Sequence, residues 1–440
     1  MNITPSVFIE TFGCQMNFSD SEIVASVMKQ NDYTIVHSAK EAHVIFLNTC
    51  SIRENAEQRI RGRLRELKAL KKKNPTLIIG ILGCMAERLK ETLLKEEQMV
   101  DLIAGPDAYR SLPDLIAKSM GGIRASDVML SGIETYDDIT PIRYDSNGIS
   151  AFISIMRGCQ NFCSYCVVPY TRGKERSRNP ETIVAEAQQL FEAGYRDITL
   201  LGQNVNSYTW KQGVNFSKLI EMVALINPLL RVRFATSHPK DLSDELIMTI
   251  AKHENICRSI HLPLQSGSTQ VLERMNRGYS REFYMNRIET IRKHIPDCGL
   301  STDLIAGFCG ETEEDHQQTL SLIEWAGYDL AYLFAYSERP DTYAAENLKD
   351  DVAEETKSRR LSELIKLQRE ISHQSNMKDV GTITEVLVEG RSKRSELQLS
   401  GRNSRNKVVV FPKMNYNVGD YVKVKITSCT TATLIGEVIG

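Results

Sequence analysis

Three cysteines within eight residues offer the most specific chemistry in the sequence. Cys159, Cys163 and Cys166 form a C-x3-C-x2-C array. Tetrahedral zinc usually takes four ligands from two C-x-x-C-like pairs, and the nearest other Cys or His residues, Cys84 and His238, are far away in sequence. Three thiolates suit a four-iron cluster that keeps one iron open for a further ligand. The alternative, three buried core cysteines, does not account for such close spacing.

Three more cysteines share a different pattern, because each follows an extended apolar run. Cys14, Cys50 and Cys84 come directly after, or within three residues of, the runs at 7–12, 44–47 and 77–82. Helical stretches between these runs predict a parallel α/β sheet, in which the carboxyl ends of the strands lie along one edge. We therefore expect the three thiols to meet in a second metal site. The alternative is that each is a small buried residue at the end of a strand.

Length and composition bound the classes of protein that the chain can represent. The 440 residues carry a net charge of −2, with 42% apolar and 25% charged residues, which is typical of two to four globular domains. The first residues lack the pattern of a signal peptide, and no apolar run reaches the roughly 20 residues that span a bilayer. Ten cysteines without an export signal favour metal or redox chemistry in the cytoplasm over disulfides.

The pattern of elements predicts three domains, 1–140, 145–375 and 378–440, with a polar linker over about 122–148. In the first, a parallel α/β domain, Ser19–Asp20–Ser21 is expected to cap a helix. The second has six strand–helix units, two fewer than a closed (β/α)8 barrel, and so predicts a partial (β/α)6 barrel. A charged helix over about 352–377 is expected to lead away from it. The third has short strands typical of a small all-β barrel.

Polar and glycine-rich loops follow several strands of the predicted partial barrel, at the end that carries the C-x3-C-x2-C loop. Glycine lets a backbone approach a ligand closely, and amide side chains orient it. His238 suits either acid–base catalysis or capping, and its position before a proline favours capping. The loop residues expected to bind a cofactor beside the cysteine loop are Gly202, Gln203, Asn204, Ser237 and Gln265.

Two segments are basic enough to contact nucleic acid. The helix predicted over about 54–73 is rich in Arg and Lys, which suits either a solvated surface or a phosphate contact. From residue 378 onward, ten basic and six acidic residues give a net charge of +4. A basic loop on a small β-barrel predicts single-stranded RNA binding, although a solubilising domain is the alternative. The expected RNA-binding residues are Arg391, Lys393, Arg394, Arg402, Arg405 and Lys407.

The C-x3-C-x2-C loop on a partial barrel resembles the radical S-adenosylmethionine (SAM) superfamily. The preceding three-cysteine domain and the terminal barrel, which resembles a TRAM domain, narrow the resemblance to the methylthiotransferases, and it covers essentially the whole chain. Residues 158–173 and 201–208 resemble the branch that acts on dimethylallyl-adenosine in tRNA. Cys309 stands where that family more often has proline.

The resemblance implies two [4Fe-4S] clusters and SAM, with SAM serving both as methyl donor and as radical source. Cys159, Cys163 and Cys166 would hold the cluster that binds SAM, and Tyr165 would lie beside the adenine of SAM. Cys14, Cys50 and Cys84 would hold an auxiliary cluster that carries the sulfur, so that no catalytic residue beyond the clusters is expected.

The implied reaction is the methylthiolation of C2 of N6-dimethylallyladenosine at tRNA position 37. The implied partners are the anticodon stem-loop, a reductant protein and a sulfur donor, and no membrane. The remaining alternatives are a methylthiotransferase that acts on threonylcarbamoyladenosine in tRNA or on a ribosomal protein aspartate, and a non-catalytic RNA-binding protein with structural zinc. For the isolated cysteines the default is buried packing; they are Cys257, Cys298, Cys309 and Cys429.

Overall fold

A computed structural model of the protein describes residues 4–50, 54–144 and 146–439, without the side chains of residues 54–56. Along the chain, a six-stranded parallel sheet with helices is followed by an open barrel of parallel strands and then by a small closed β-barrel. The predicted fold class is confirmed. Among the described residues, no helix is both long and apolar enough to cross a membrane.

The first domain is a parallel sheet covered by helices on both faces. Its strands are β1 (Ser6–Thr11), β2 (Thr34–Ile35), β3 (Val44–Thr49), β4 (Ile78–Gly83), β5 (Leu102–Ala104) and β6 (Ala125–Asp127). Its helices are α1 (Gln15–Gln30), α2 (Glu54–Lys73), α3 (Cys84–Glu96) and α4 (Leu112–Met120). The strand order is β2-β1-β3-β4-β5-β6. β3 and β4 are buried along their whole length, as expected for central strands of a parallel sheet, whose faces are both covered.

Two predictions for this domain are wrong. Strand β6, which pairs in parallel with β5, and the buried Tyr136 both lie in the predicted linker. The sequence did not indicate β6, because this strand is short, lies at the edge of the sheet and has few apolar residues. Ser19–Asp20–Ser21 does not cap α1, which begins at Gln15 after Cys14. These polar residues are instead buried inside the helix.

The second domain contains the six predicted parallel strands and two short antiparallel pairs that were not predicted. Its strands are β7 (Ser150–Ser154), β8 (Met156–Arg157), β9 (Arg176–Ser177), β10 (Asp197–Leu201), β11 (Thr209–Trp210), β12 (Val214–Asn215), β13 (Arg231–Phe234), β14 (Ser259–His261), β15 (Gly299–Ala306) and β16 (Leu330–Ala335). Its helices are α5 (Val168–Arg172), α6 (Pro180–Glu192), α7 (Phe216–Ala224), α8 (Asp244–Lys252), α9 (Thr269–Arg274), α10 (Arg281–His294), α11 (Glu313–Ala326), α12 (Tyr343–Asn347) and α13 (Glu354–Met377).

The six parallel strands form an open barrel whose spatial order follows the chain. They make two three-stranded sheets, β7-β10-β13 and β14-β15-β16, which a parallel bridge between Val232 and Ile256 connects. One face of the strands packs against the helices in a single apolar core. The carboxyl ends of all six strands therefore lie on the same side, where their loops converge.

Helix α13 does not lead away from the barrel as predicted. Leu364 and Ile371 are buried in the barrel core, and Gln368 Nε2 donates a hydrogen bond to the carbonyl of Tyr328 at 2.8 Å. The charged sequence of α13 conceals this contact, because only a narrow stripe of the helix is buried. The helix thus covers β16, the edge strand of the barrel.

The third domain is a closed barrel with one strand more than predicted. The strands are β17 (Ile383–Ser392), β18 (Ser395–Arg402), β19 (Val408–Pro412), β20 (Tyr421–Cys429) and β21 (Thr433–Val438), in the closed order β17-β18-β19-β21-β20. Strand β18 occupies much of the stretch predicted as a basic loop. The sequence did not indicate this strand, because Leu399 and Gly401 are its two buried residues and the others are mostly polar.

Candidate iron–sulfur and cofactor site

The C-x3-C-x2-C loop runs from β8 to α5 and closes on itself. Gly158 has φ of +79°, and a Cβ there would lie 2.0 Å from the carbonyl oxygen of Lys174, so only glycine fits. The Cys159 N–H donates to the Gly173 carbonyl at 3.1 Å. Burial raises the pKa of Cys166 to about 12, with the charge of Cys163 as the next cause. The charges of Cys163 and Cys159 both act on Cys166, so the three side chains lie near one another, and their role as ligands of one metal centre stays a prediction.

Arg277 attaches this loop to the barrel and was not predicted. Its guanidinium donates to Cys163 Sγ at 3.2 Å and to the Pro263 carbonyl at 3.0 Å, and one nitrogen lies 3.4 Å from the Tyr165 hydroxyl. Arg277 is buried. It therefore places a fixed positive charge beside the cysteine loop and holds the loop over the carboxyl end of β14. No spacing or motif in the sequence marks this arginine.

The loops predicted to bind a cofactor contain buried polar atoms that nothing in the described part of the chain satisfies. Gln203 Oε1, Asn204 Oδ1 and Ser237 Oγ are buried and have no hydrogen-bond partner among the described residues. An unpaired buried polar group costs about 1–3 kcal/mol, so a polar molecule bound at this end of the barrel would stabilise these atoms. These atoms therefore fit a ligand such as SAM, which carries amino, carboxylate and hydroxyl groups.

The other predicted cofactor residues border the same loops. A Cβ at Gly202 would lie 2.5 Å from Met156 Cγ, so the backbone is tightly packed there. Gln265 is buried with φ of +71°, a left-handed conformation that is uncommon for residues other than glycine. The Tyr165 ring meets Phe308 edge to face, with centroids 6.2 Å apart. Backbone conformations of this kind cluster at ligand-binding sites.

His238 caps a turn, as its sequence context favoured. Its side chain accepts a hydrogen bond from the Lys240 N–H at 3.3 Å. Burial, followed by the charges of Arg277 and Lys240, lowers the pKa of His238 to about 2. The imidazole is therefore neutral at physiological pH, and this arrangement does not supply a general acid.

The other three cysteines lie at one edge of the N-terminal sheet. Cys14 follows β1, Cys50 follows β3 directly, and Cys84 is the first residue of α3 after β4. A hydrogen bond with Cys50 is the main cause that lowers the pKa of Cys14 to about 6, against burial and with help from Arg172. A Cβ at Gly13 would lie 2.4 Å from Cys50 Cβ. Glycine thus allows the chain to bring Cys14 against Cys50.

A buried ionic network connects the two groups of cysteines. Arg172, at the end of the helix that follows the C-x3-C-x2-C loop, donates through Nε to Cys84 Sγ at 3.2 Å. The same guanidinium donates to Asp20 at 2.7 Å. Arg157, two residues before Cys159, donates to the other oxygen of Asp20 at 2.8 Å. The two arginines on either side of the loop thus reach the N-terminal domain at Cys84 and Asp20.

The described residues contain no group of three or more Cys, His, Asp or Glu side chains placed to hold a single metal ion.

The six predicted RNA-binding residues fall into two sets. Arg391, Lys393 and Arg394 are exposed around the turn between β17 and β18. Arg391 lies 3.8 Å from Glu396 in an exposed pair. Arg402, Arg405 and Lys407 pair more closely with acidic residues, and their partners are Glu389, Asp379 and, for Lys407, both Asp329 and Asp379. Lys407 is buried. Arg405 and Lys407 therefore connect the terminal barrel to the partial barrel and to the end of α13, and this structural role takes the place of the predicted contact with RNA.

Three of the eight basic residues of helix α2 form ion pairs with acids of the same domain. Arg61 pairs with Glu96 and Glu97, Arg63 pairs with Glu10, and Lys71 pairs with Asp101. The other cations, including the exposed Arg59, Arg65 and Lys68, leave both a solvated surface and a phosphate contact open for this helix.

Comparison with known protein families divides the chain in three. Residues 6–105 match the model of the "Uncharacterized protein family UPF0004". Residues 153–323 match the radical SAM superfamily, and residues 378–439 match the TRAM domain.

Among curated proteins, the chain is similar over nearly its full length to two bacterial enzymes, each named tRNA-2-methylthio-N(6)-dimethylallyladenosine synthase. The protein from Amoebophilus asiaticus is 55% identical over 451 residues, covering 99% of this chain and 93% of that protein. The protein from Chloroherpeton thalassium is 56% identical over 434 residues, covering 98% and 96%.

Solved structures resemble the fold at low sequence identity. The radical SAM methyltransferase TsrM from Kitasatospora setae superposes with a TM-score of 0.59 at 13% identity, covering 77% of this chain and 75% of that one. The cobalamin-dependent SAM radical enzyme OxsB gives a TM-score of 0.55 at 13% identity, covering 84% and 62%. At this identity the likeness concerns the fold alone.

Proposed function

The chain belongs to the family of the tRNA-2-methylthio-N6-dimethylallyladenosine synthases, and we propose that it methylthiolates C2 of N6-dimethylallyladenosine at position 37 of tRNA. It is a radical SAM enzyme, and this superfamily uses SAM and a [4Fe-4S] cluster. The observation that carries the proposal is the hydrogen bond from Arg172 to Cys84. It joins the helix that follows the C-x3-C-x2-C loop to a cysteine of the N-terminal group, and a reaction that needs both a radical and a sulfur atom requires two such groups near each other.

We assign the SAM-binding cluster to Cys159, Cys163 and Cys166. Three thiolates leave one iron of a four-iron cluster free for a further ligand, and the unpaired atoms of Gln203 and Ser237 lie in loops at the same end of the barrel. When bound, SAM and the cluster supply the radical chemistry that removes the unreactive C2 hydrogen, which side-chain acids and bases do not do.

The residues around these thiols hold the site in place and limit its contact with water. Arg277 fixes the loop through Cys163 and Pro263, and its positive charge stabilises anionic sulfur. Tyr165 lies against Phe308, at the position that the family resemblance places beside the adenine of SAM.

We assign a second cluster, which would hold the sulfur to be transferred, to Cys14, Cys50 and Cys84. Support comes from their position at adjacent strand ends and from the charge that Arg172 directs at Cys84. To turn over repeatedly, the enzyme also needs a reductant protein and a sulfur donor. We place the enzyme in the cytoplasm, together with its tRNA substrate.

The anticodon stem-loop is expected to contact the turn that carries Arg391, Lys393 and Arg394. These three cations are exposed. They lie outside the interface in which Lys407 of the terminal barrel pairs with Asp329 of the partial barrel. A base in an RNA loop can be splayed out at low unstacking cost. The phosphates around it therefore remain available to this basic turn.

Nucleoside analysis of tRNA from a deletion strain tests the substrate. We expect 2-methylthio-N6-dimethylallyladenosine to disappear and N6-dimethylallyladenosine to accumulate, with recovery when the gene is restored. Unchanged methylthiolation of dimethylallyladenosine would refute the proposal. Loss of a methylthiolated threonylcarbamoyladenosine instead would assign the chain to the other tRNA substrate.

Iron content tests the two cluster assignments. Anaerobic reconstitution should give about eight irons per chain and about four in a Cys14/Cys50/Cys84 triple alanine variant. A matched variant with Cys298, Cys309 and Cys429 changed to alanine should keep about eight. An unchanged iron content in the first variant, or an equal loss in both, would contradict the second cluster.

A further inference from the structure

The strands β14, β15 and β16 expose one face to the interior of the open barrel. The register pairs His261 with Ser301 and Asp303 with Tyr332. Residues of the opposite parity, including Ile260 and Leu304, are buried in the core against the helices. Because side chains alternate between the two faces of a strand, His261, Ser301, Asp303 and Tyr332 lie together on the interior face.

This interior face is polar and aromatic, and protein covers it only in part. Tyr332 is 49% exposed although it lies in the middle of a strand. The side chains of Asp303 and His261 are 31% and 24% exposed. Parallel sheets are normally covered on both faces. An exposed aromatic ring in the middle of a parallel strand therefore indicates a surface that something other than this chain covers.

The three side chains form one group with unused hydrogen-bonding capacity. The His261 ring meets Tyr332 edge to face, with centroids 5.9 Å apart. His261 Nδ1 lies 3.0 Å from Ser301 Oγ, and Nε2 lies 3.5 Å from Asp303 Oδ2. Within the described residues, His261 is the side-chain partner of the Asp303 carboxylate, which can accept further hydrogen bonds.

Two chains of contacts place this group just below the cysteine loop. Pro263, two residues beyond His261, accepts a hydrogen bond from Arg277, which also donates to Cys163. Ile305, two residues beyond Asp303, packs in the same apolar cluster as Tyr165. Two residues of a strand advance about 7 Å. The interior group therefore lies about one side-chain layer from the residues next to the proposed cluster and SAM.

We propose that Tyr332, Asp303 and His261 form the binding site for the target adenine base. The flat base stacks on the exposed Tyr332 ring, Asp303 accepts a hydrogen bond from the N6–H of the base, and His261 orients the Asp303 carboxylate. The assignment rests on the proposed function, because it takes the substrate to be an adenosine splayed out of an RNA loop. None of these three residues touches a cysteine of either group in the described structure.

Binding of a stem-loop RNA to the reconstituted holoenzyme, with SAM and without reductant, tests the stacking contact. One RNA carries N6-dimethylallyladenosine at position 37, and a second is abasic at that position. Stacking of one base on an aromatic residue corresponds to about a 5- to 150-fold change in Kd. We expect Tyr332→Leu to weaken binding of the first RNA by that factor, Tyr332→Phe to keep it within about threefold, and neither to affect the abasic RNA.

Two results would overturn the site. One is a Tyr332→Leu variant that binds the dimethylallyladenosine RNA as tightly as the wild type does. The other is an equal loss for both RNAs, which would show an effect on the fold or on backbone contacts and not on the base. The iron content and the thermal unfolding of the variant should equal those of the wild type, which shows that it folds and holds its clusters.

Asp303 has its own test. Asp303→Asn should weaken binding of dimethylallyladenosine RNA by about 10- to 150-fold, the range for a hydrogen bond to a charged group. An RNA with two alkyl groups on N6 has no N6–H, so the wild type and the variant should bind it equally well. An equal loss for the two RNAs would contradict the assigned contact.

These measurements separate the base site from the proposed function. If the wild type binds the dimethylallyladenosine RNA and shows the expected Tyr332 dependence but does not methylthiolate it, the proposed function fails and the base site stands. If the wild type methylthiolates the RNA and Tyr332→Leu binds it normally, the base site alone fails.

Discussion

Replacement of Asp20 by asparagine should loosen the contact between the N-terminal domain and the barrel. Asp20 is fully buried in α1, and its two oxygens accept hydrogen bonds from Arg157 and Arg172 at 2.8 and 2.7 Å. The Tyr109 hydroxyl is a third partner at 3.3 Å. Asparagine has nearly the same volume, so the substitution removes the negative charge without opening a cavity.

The expected loss of stability follows from the two buried guanidiniums that the substitution leaves without their carboxylate. Burial acts to raise the pKa of Asp20, but the charges of Arg157 and Arg172 outweigh it and lower the pKa below 3.8. The carboxylate is therefore ionised in the folded protein and compensates both arginines. Removing one member of a buried ion pair costs about 3–5 kcal/mol, and Asp107, 3.6 Å from Arg157, compensates only one of the two.

Native-state hydrogen exchange of the protein without clusters measures the effect locally. A loss of 3–5 kcal/mol should raise the exchange of peptides from α1 and α5 by roughly two to four orders of magnitude. Because a depressed pKa stabilises the fold only while the carboxylate is ionised, the difference between wild type and variant should shrink as the pH falls below about 4.

Asp138→Asn is the matched control. Asp138 also pairs with an arginine, Arg110, but its side chain is 65% exposed, so its loss should cost at most about 1 kcal/mol. If Asp20→Asn exchanges no faster than Asp138→Asn, the carboxylate of Asp20 does not hold the two guanidiniums, and the account of the domain contact is wrong.

Two further predictions concern single charged residues. Burial raises the pKa of Glu87 to about 7, so folding takes up a proton and the free energy of unfolding should fall as the pH rises from about 4.5 to 7. In urea unfolding, Glu87→Gln should remove this pH dependence, and its free energy of unfolding at pH 8 should be about 1–2 kcal/mol higher than that of the wild type. An unchanged pH dependence would contradict a buried carboxyl. Lys407→Met should lower the free energy of unfolding by about 3–5 kcal/mol because it leaves buried carboxylates unpaired. Lys393→Met should leave stability unchanged but weaken RNA binding, and it should reduce the slope of the logarithm of the RNA-binding constant against the logarithm of salt concentration by about 1. The reverse pattern in thermal unfolding and RNA titration would show that the two lysines have the opposite roles.

The strands and helices could be predicted from the sequence because parallel strands are buried on both faces and therefore appear in the sequence as continuous apolar runs. The apolar runs at 7–12 and 77–82 correspond to β1 and β4 to within about a residue, and the helix predicted over about 54–73 is α2. The errors fall where that signal is weak. Strand β6 is a short edge strand and β18 has few apolar residues, while α13 buries only a stripe.

The sequence by itself indicated the two groups of three cysteines, because one group lies in a short loop and the other follows the ends of strands that the pattern predicts to be parallel. The tertiary structure alone decided what holds those groups. Asp20, Arg172 and Arg277 act across 152 and 114 residues of chain, and a single charged residue carries no local pattern that identifies its partner. The same holds for Lys407, whose partner Asp379 lies 28 residues away and converts an apparent RNA contact into a structural one. Periodicity reports which face of an element is buried, whereas the pairing of buried charges depends on which faces meet.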